Sequence, residues 1–191
     1  PAPGEVTAMS EMDLPRKVLM TADTVGGVWT YALELARGLA DQGIEVAIAT
    51  MGAPADALQR EMAGRIPRLK VFESNFKLEW MDDPWRDVER AGDWLLGLED
   101  RFAPDLIHLN GYAHAALPWH APKIVVGHSC VLSWWEAVKK EPAPEAWDRY
   151  HDEVRAGLAA ADLVVAPSAG LHAWLWPLVP RPRHASSAGL R

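Results

Sequence analysis

Residues 17–51 read KVLMTADTVGGVWTYALELARGLADQGIEVAIATM. A short apolar run, Val18-Leu19-Met20, leads into a polar loop that closes on Gly26-Gly27. A helical period follows. Val28, Tyr31, Ala32, Leu35, Ala36 and Leu39 fall on one face, and Thr30, Glu34, Arg37 and Asp41 on the other. Gly43 stands where a left-handed residue would stop that helix, and Val46-Ala47-Ile48-Ala49 is a second buried-strand run. Two apolar strands joined by an amphipathic helix make a parallel pair with a right-handed crossover. Glycines at a strand's carboxyl end let another group approach the backbone. The helix that follows offers unpaired N–H groups and a positive dipole end, where a phosphate is at home. TADTVGG matches neither the dinucleotide fingerprint nor the P-loop. On spacing alone, a tight turn with close helix–strand packing accounts for it slightly better.

The alternation continues along the chain. Residues 54–62 predict a short helix, 69–72 a third strand, and 75–83 an irregular stretch or short extra strand. Residues 84–102 predict a helix on the stripe Trp85, Val88, Ala91, Leu95, Leu98 and Phe102, with Pro84 in its first position. A fourth strand at 105–109 ends at Asn110-Gly111, and a short helix at 113–119 leads to a fifth strand at 123–128. A helix at 144–160 precedes a sixth strand at 163–166, after which Ser168 caps a last helix. This order specifies an α/β fold, a doubly wound parallel sheet. Ligands of such sheets bind outside the carboxyl ends of the strands, which gathers residues 21–27, Glu73-Ser74, Asn110-Gly111-Tyr112, His128-Ser129 and Ser168 at one rim. Residues 1–15 have no period and read as a loose leader, and residues 176–191 as a proline-bearing irregular tail.

Composition bounds the rest. The chain has 191 residues, 49% of them hydrophobic and 24% charged, which is ample for a core and argues against disorder. A net charge of −7 argues against a nucleic-acid surface. The single cysteine, Cys130, excludes an intrachain disulfide and fits a reducing compartment. No apolar run is long enough to span a bilayer and no signal segment opens the sequence, so a soluble, cytoplasmic protein is expected. His108, Asn110, His114 and His120 match no zinc spacing, and no metal is expected. Cys130, two residues past His128, fits a buried inert thiol better than a nucleophile. His108, inside a strand run, is expected to be a core residue.

Four stretches in order carry a resemblance: VLMTADTVGGVWTYALELARGLADQGIEVAIAT, PDLIHLNG, IVVGHS and AADLVVAPSAGLHAWL. Together they resemble the amino-terminal, acceptor-side domain of a GT-B, family 4-type retaining glycosyltransferase, over residues 16–175. The resemblance implies a Rossmann-like domain that helps move a sugar from a nucleotide-sugar donor to a sugar or glycolipid acceptor, with retention and with no cofactor beyond that co-substrate. Carried over by position, Gly26 and Gly27 fall on the glycine loop near the donor's diphosphate. His128 falls on a histidine near the reaction centre, and is the catalytic candidate. Asp23 either binds an acceptor hydroxyl or closes a turn, and Asn110 and Tyr112 are exposed-rim candidates for acceptor hydroxyls. Trp134 and Trp135 either stack on a sugar face or, with Lys139 and Lys140, make peripheral membrane contact.

Family enzymes carry a second domain with the nucleotide-sugar pocket and two glutamates separated by seven residues. Glu145 and Glu153 have that spacing but lie in a helix with no glycine loop beside it, so coincidence is the better reading. The sequence therefore reads as a fragment or a subunit needing a partner chain, inactive alone. The alternative is a non-catalytic ligand-binding or regulatory module. A nicotinamide-dependent oxidoreductase fits worse, since the second strand ends Ala-Thr-Met-Gly with no acid for a ribose.

Overall fold

The apolar run at 17–23 becomes the central strand of a six-stranded sheet. The structure, a computed structural model, describes residues 14–179, so most of the expected leader and tail lie outside the described residues. In chain order the elements are β1 (Lys17–Asp23), α1 (Gly27–Asp41), β2 (Glu45–Met51), α2 (Ala57–Gly64), β3 (Leu69–Glu73) and α3 (Trp85–Phe102). There follow β4 (Leu106–Leu109), β5 (Lys123–Val126), α4 (Val131–Trp134), α5 (Asp148–Ala160), β6 (Leu163–Val165) and α6 (Ala169–Leu175). The sheet order is β3-β2-β1-β4-β5-β6 and every pairing is parallel. The winding direction reverses between β1 and β4, where a crevice opens at the strands' carboxyl ends.

Both faces of the sheet are covered, and the period-2 alternation of the central strands divides the core in two. Leu19, Ala47, Ala49, Ile107 and Leu109 pack with Leu95 and Leu98 of α3 and Val154 and Leu158 of α5. Met20, Ala22, Val46 and Ile48 pack on the opposite side with Trp29, Ala32, Leu33 and Ala36 of α1 and Ala63 of α2. The first helix is therefore turned from its expected face. Trp29 and Leu33 are buried, while Tyr31 and Leu35 are half-buried. The sequence is apolar at adjacent positions, so two stripes overlap. The one carrying the bulkier indole takes the interior, because it removes more apolar surface from water.

Other differences have local causes. The predicted helix at 144–160 begins as a 3-10 turn, Glu145–Trp147, before α5. The predicted 113–119 helix is a 3-10 turn, Ala113–Ala116, that stops at Leu117, because Pro118 forces the residue before it into the extended region. Residues 75–83 form no strand, and Pro84 caps α3 from outside its first turn. Residues 131–139, for which no helix is predicted, form α4 running into a π-helical segment, Trp135–Lys139. No residue there is buried, so an apolar period was never available to announce it. Of the expected tail, Trp176–Leu178 form one 3-10 turn.

One contact fixes the crevice's depth. A Cβ on Gly157 of α5 would lie 2.0 Å from the Tyr112 carbonyl oxygen, so only glycine lets the helix press against the turn that follows β4. Among the described residues no helix is long and apolar enough to cross a membrane.

Candidate functional site

Thr21 follows the last residue of β1 that pairs with β4, and its two oxygens set the orientation of Asn110. The Asn110 N–H donates to Thr21 Oγ1 at 3.0 Å, and Asn110 Nδ2 donates to the Thr21 carbonyl at 2.7 Å. With the amide nitrogen committed there, Oδ1 turns toward two imidazoles. His128 Nε2 lies 2.8 Å from it and His108 Nε2 3.3 Å. A carbonyl oxygen only accepts, so both rings carry their proton on Nε2, and in the neutral form the lone pair stands on Nδ1. Burial keeps both rings neutral. It lowers the His108 pKa to about 4, with the neighbouring His128 adding to the shift, and holds His128 below its usual value. From α1, Tyr31 meets the His128 ring edge-on at 4.5 Å, and its hydroxyl lies 3.4 Å from His108 Nε2. The outward turn of Tyr31 thus gives α1 a part in the site, and His108 is a support in the same network.

Of these groups, Thr21, Asn110 and His128 line a cavity of about 460 Å³ whose walls also include Asp23, Val28, Tyr112 and Trp134. Asp23 both closes a turn and faces the cavity. Its Oδ1 accepts from the Val25 N–H at 2.9 Å, and burial raises its pKa against that hydrogen bond. Gly26 and Gly27 are exposed beside the mouth, outside the cavity lining but flanked in sequence by Asp23 and Val28. Gly26 has φ +84°, a conformation other residues rarely adopt. A Cβ on either glycine would meet nothing within 4 Å, so close helix–strand packing is not what they serve. The first turn of α1 carries no acidic residue and no side-chain cap. The loop is held from α2, where Gln59 completes the Asp56 capping box and donates through Nε2 to the Thr24 carbonyl at 2.9 Å.

Tyr112 is not an exposed rim residue. It is 2% exposed and its hydroxyl donates to the Ser129 carbonyl at 3.0 Å, so its hydroxyl is already engaged within the protein. The Gly157 contact presses its backbone inward, and a Cβ on Gly127 would lie 2.7 Å from its hydroxyl oxygen. Cys130 is buried, with a raised thiol pKa from desolvation, as an inert thiol requires. His108, His114 and His120 go separate ways, His114 to the Val88 carbonyl and His120 to Glu99. Among the described residues no three acidic, histidine or cysteine side chains gather where a metal could sit. Trp134 and Trp135 both line the cavity, edge to face at 5.8 Å, with Lys139 Nζ 5.8 Å from each ring.

Sequence reasoning missed Glu79. It lies in the irregular segment after β3, and its carboxylate accepts from Tyr112 N at 3.0 Å and Ala113 N at 2.7 Å. It also lines the cavity, and desolvation raises its pKa despite those two donors. A lone acid between Leu78 and Trp80 in a stretch without period gives no sequence signal.

The Glycosyltransferase Family 4 model matches residues 25–184. No curated protein matches by sequence. Among solved structures, the chain is similar to Glycyrrhiza uralensis UGT73P12 complexed with glycyrrhetinic acid 3-O-monoglucuronide, at 13% identity and TM-score 0.56, covering 85% of this chain and 46% of that one. It is similar to Phytolacca americana UGT2 complexed with UDP-2fluoro-glucose and pterostilbene, at 11% identity and TM-score 0.56, covering 87% and 52%. A UDP-glucosyltransferase from Polygonum tinctorium aligns at 12% identity and TM-score 0.53, covering 93% and 55%. At these identities the likeness shows the fold, and the chain spans about half the length of those proteins.

Proposed function

The chain belongs to Glycosyltransferase Family 4, and from that premise we propose that its crevice is the acceptor side of a sugar-transfer site. The donor is a nucleotide-sugar, held mainly by a second domain, in the same polypeptide or a partner chain, that closes over the β1/β4 rim. Transfer proceeds with retention of anomeric configuration.

The His128–Asn110 pair carries this reading. With Nε2–H held by Asn110 at 2.8 Å and protonation suppressed by burial, His128 offers its Nδ1 lone pair to a hydroxyl at the cavity. Accepting that hydrogen bond orients the hydroxyl and builds electron density toward the reacting carbon, which carries positive charge in the transition state. The departing diphosphate needs donors and positive potential. The exposed backbone at Gly26-Gly27 and the uncapped start of α1 supply both without a side chain in the way. Asn110 is a positioning residue, and the Thr21 oxygens keep its amide from turning over.

The reading is tested by transfer in trans. The 191-residue chain alone is expected to move no labelled sugar from UDP- or GDP-sugars, and addition of a donor-binding domain from a family relative is expected to restore measurable transfer, with the anomeric proton coupling of the product reporting retention. Full transfer by the chain alone would contradict the division of labour, and failure with a panel of such domains would contradict the proposed activity.

A further inference from the structure

The cavity beside His128 is walled unlike a site for a free hexose. A hexose carries a hydroxyl on nearly every carbon, and its pocket must answer with unengaged polar groups around the ring. Here most polar side chains facing the space already hold protein partners. Thr21 and Asn110 bind each other, His114 donates to the Val88 carbonyl, Tyr112 to the Ser129 carbonyl, and Tyr150 to the Cys130 thiol. Among the described residues no lysine or arginine lines the cavity. Open capacity remains at His128, at Asp23, at Glu79 and at the Ser129 hydroxyl. Apart from these, the wall is dominated by large apolar side chains, among them Leu78, Trp80, Val131, Trp134, Trp135 and Trp147.

Resting on the transferase reading above, we infer that the acceptor is a hydroxyl-bearing aromatic or fused-ring compound that sets one hydroxyl at His128 and a second hydrogen-bond donor at Glu79. Flat rings suit indole walls, because offset and edge-on aromatic contacts add to the area buried. Trp134 and Trp135 already meet edge to face, as do Trp147 and Tyr150 at 5.6 Å, so faces and edges are both presented. A space of about 460 Å³ suits a body of two or three rings. Glu79 separates this class from a simple alkyl chain. A carboxylate accepts about four hydrogen bonds, and the Tyr112 and Ala113 N–H groups do not fill that capacity. A ligand without a donor would leave those lone pairs unmatched in a largely apolar wall.

The test reads binding to the 191-residue chain by calorimetry, so it needs no transfer. The probes are 6,7-dihydroxycoumarin, 7-hydroxycoumarin, glucose, mannose and farnesyl phosphate. The dihydroxy compound is expected to bind saturably and about tenfold more tightly than the monohydroxy one, with no saturable binding of either hexose. Glu79→Gln should erase most of that tenfold preference. Trp134→Ala, at an exposed side chain whose loss leaves the core intact, should weaken both coumarins several-fold, with a thermal melt confirming the fold. Coumarins that do not bind, that bind unchanged in both variants, or that are outcompeted by a hexose or farnesyl phosphate overturn the inference and leave the transferase reading in place. Coumarin binding by this chain with no sugar transfer in the completed enzyme would sink the transferase reading, and with it the role of acceptor, and leave an aromatic ligand site.

Discussion

Asn110 is the residue on which the site turns, since its side-chain amide makes three hydrogen bonds and its backbone N–H a fourth, tying Thr21 of β1 to two histidines. The neutral state of those histidines has a thermodynamic signature. His108 falls to about 4 in the folded chain against an unperturbed value of 6.5, so the unfolded chain takes up that proton first as pH falls. Its contribution is fully present above pH 6.5 and is lost between 6.5 and 4, to a ceiling of about 3 kcal/mol. Asp23 and Glu79 act in the opposite sense. Their raised values make the folded chain the better proton binder as pH falls into the carboxylate range. Urea unfolding of wild type and His108→Gln isolates the histidine: the stability difference between them should shift against wild type as pH is lowered from 7.5 to 4.5, and a difference independent of pH would contradict a neutral buried His108. His128 and Asn110 were legible in the sequence because each follows a short apolar strand, where polar residues collect at one rim. Tyr112 follows the same strand, yet packing by Gly157 took it inward, and burial depth is not encoded in strand-end position. Glu79 was illegible because its partners are backbone N–H groups 33 and 34 residues away.

Elements were legible in proportion to how completely they are buried. The central strands each hold an apolar run, Val18-Leu19-Met20 in β1 and Val46-Ala47-Ile48-Ala49 in β2, and α3 shows a single unambiguous stripe of Val88, Ala91, Leu95, Leu98 and Phe102. Helix α1 has apolar residues on adjacent positions, so its rotation was settled only by packing, and that rotation delivers Tyr31 to His128. The segment 131–139 has no buried residue and gave nothing to read. The tightest contact between elements makes the sharpest prediction at this scale. Gly157→Ala would drive a methyl group into the Tyr112 carbonyl, and backbone cannot yield as a side-chain end does. A loss of about 3 kcal/mol is expected, near the upper end for overpacking. Because the displaced segment also carries Asn110, ligand binding at the cavity should weaken more than thermal stability alone explains. An alanine variant as stable as wild type would show that α5 does not press on that turn.

At the scale of the molecule, the sheet order β3-β2-β1-β4-β5-β6 brings the glycine loop, Asn110 and His128 to one edge while placing the core on both faces. That arrangement followed from alternation of strand and helix in the sequence. What alternation could not supply is the character of the crevice, because its walls come from segments that have no period. The chain spans about half the length of the solved proteins it resembles, so the proposed transfer is a property of this crevice together with a facing domain. The decisive quantity is turnover by His128→Ala in that completed enzyme, measured beside its melting temperature. We predict that kcat falls about 100-fold or more, as loss of a positioned proton acceptor requires, while the melting temperature stays close to wild type. Turnover that survives the substitution, or that falls only in step with stability, would contradict a role for His128 in sugar transfer.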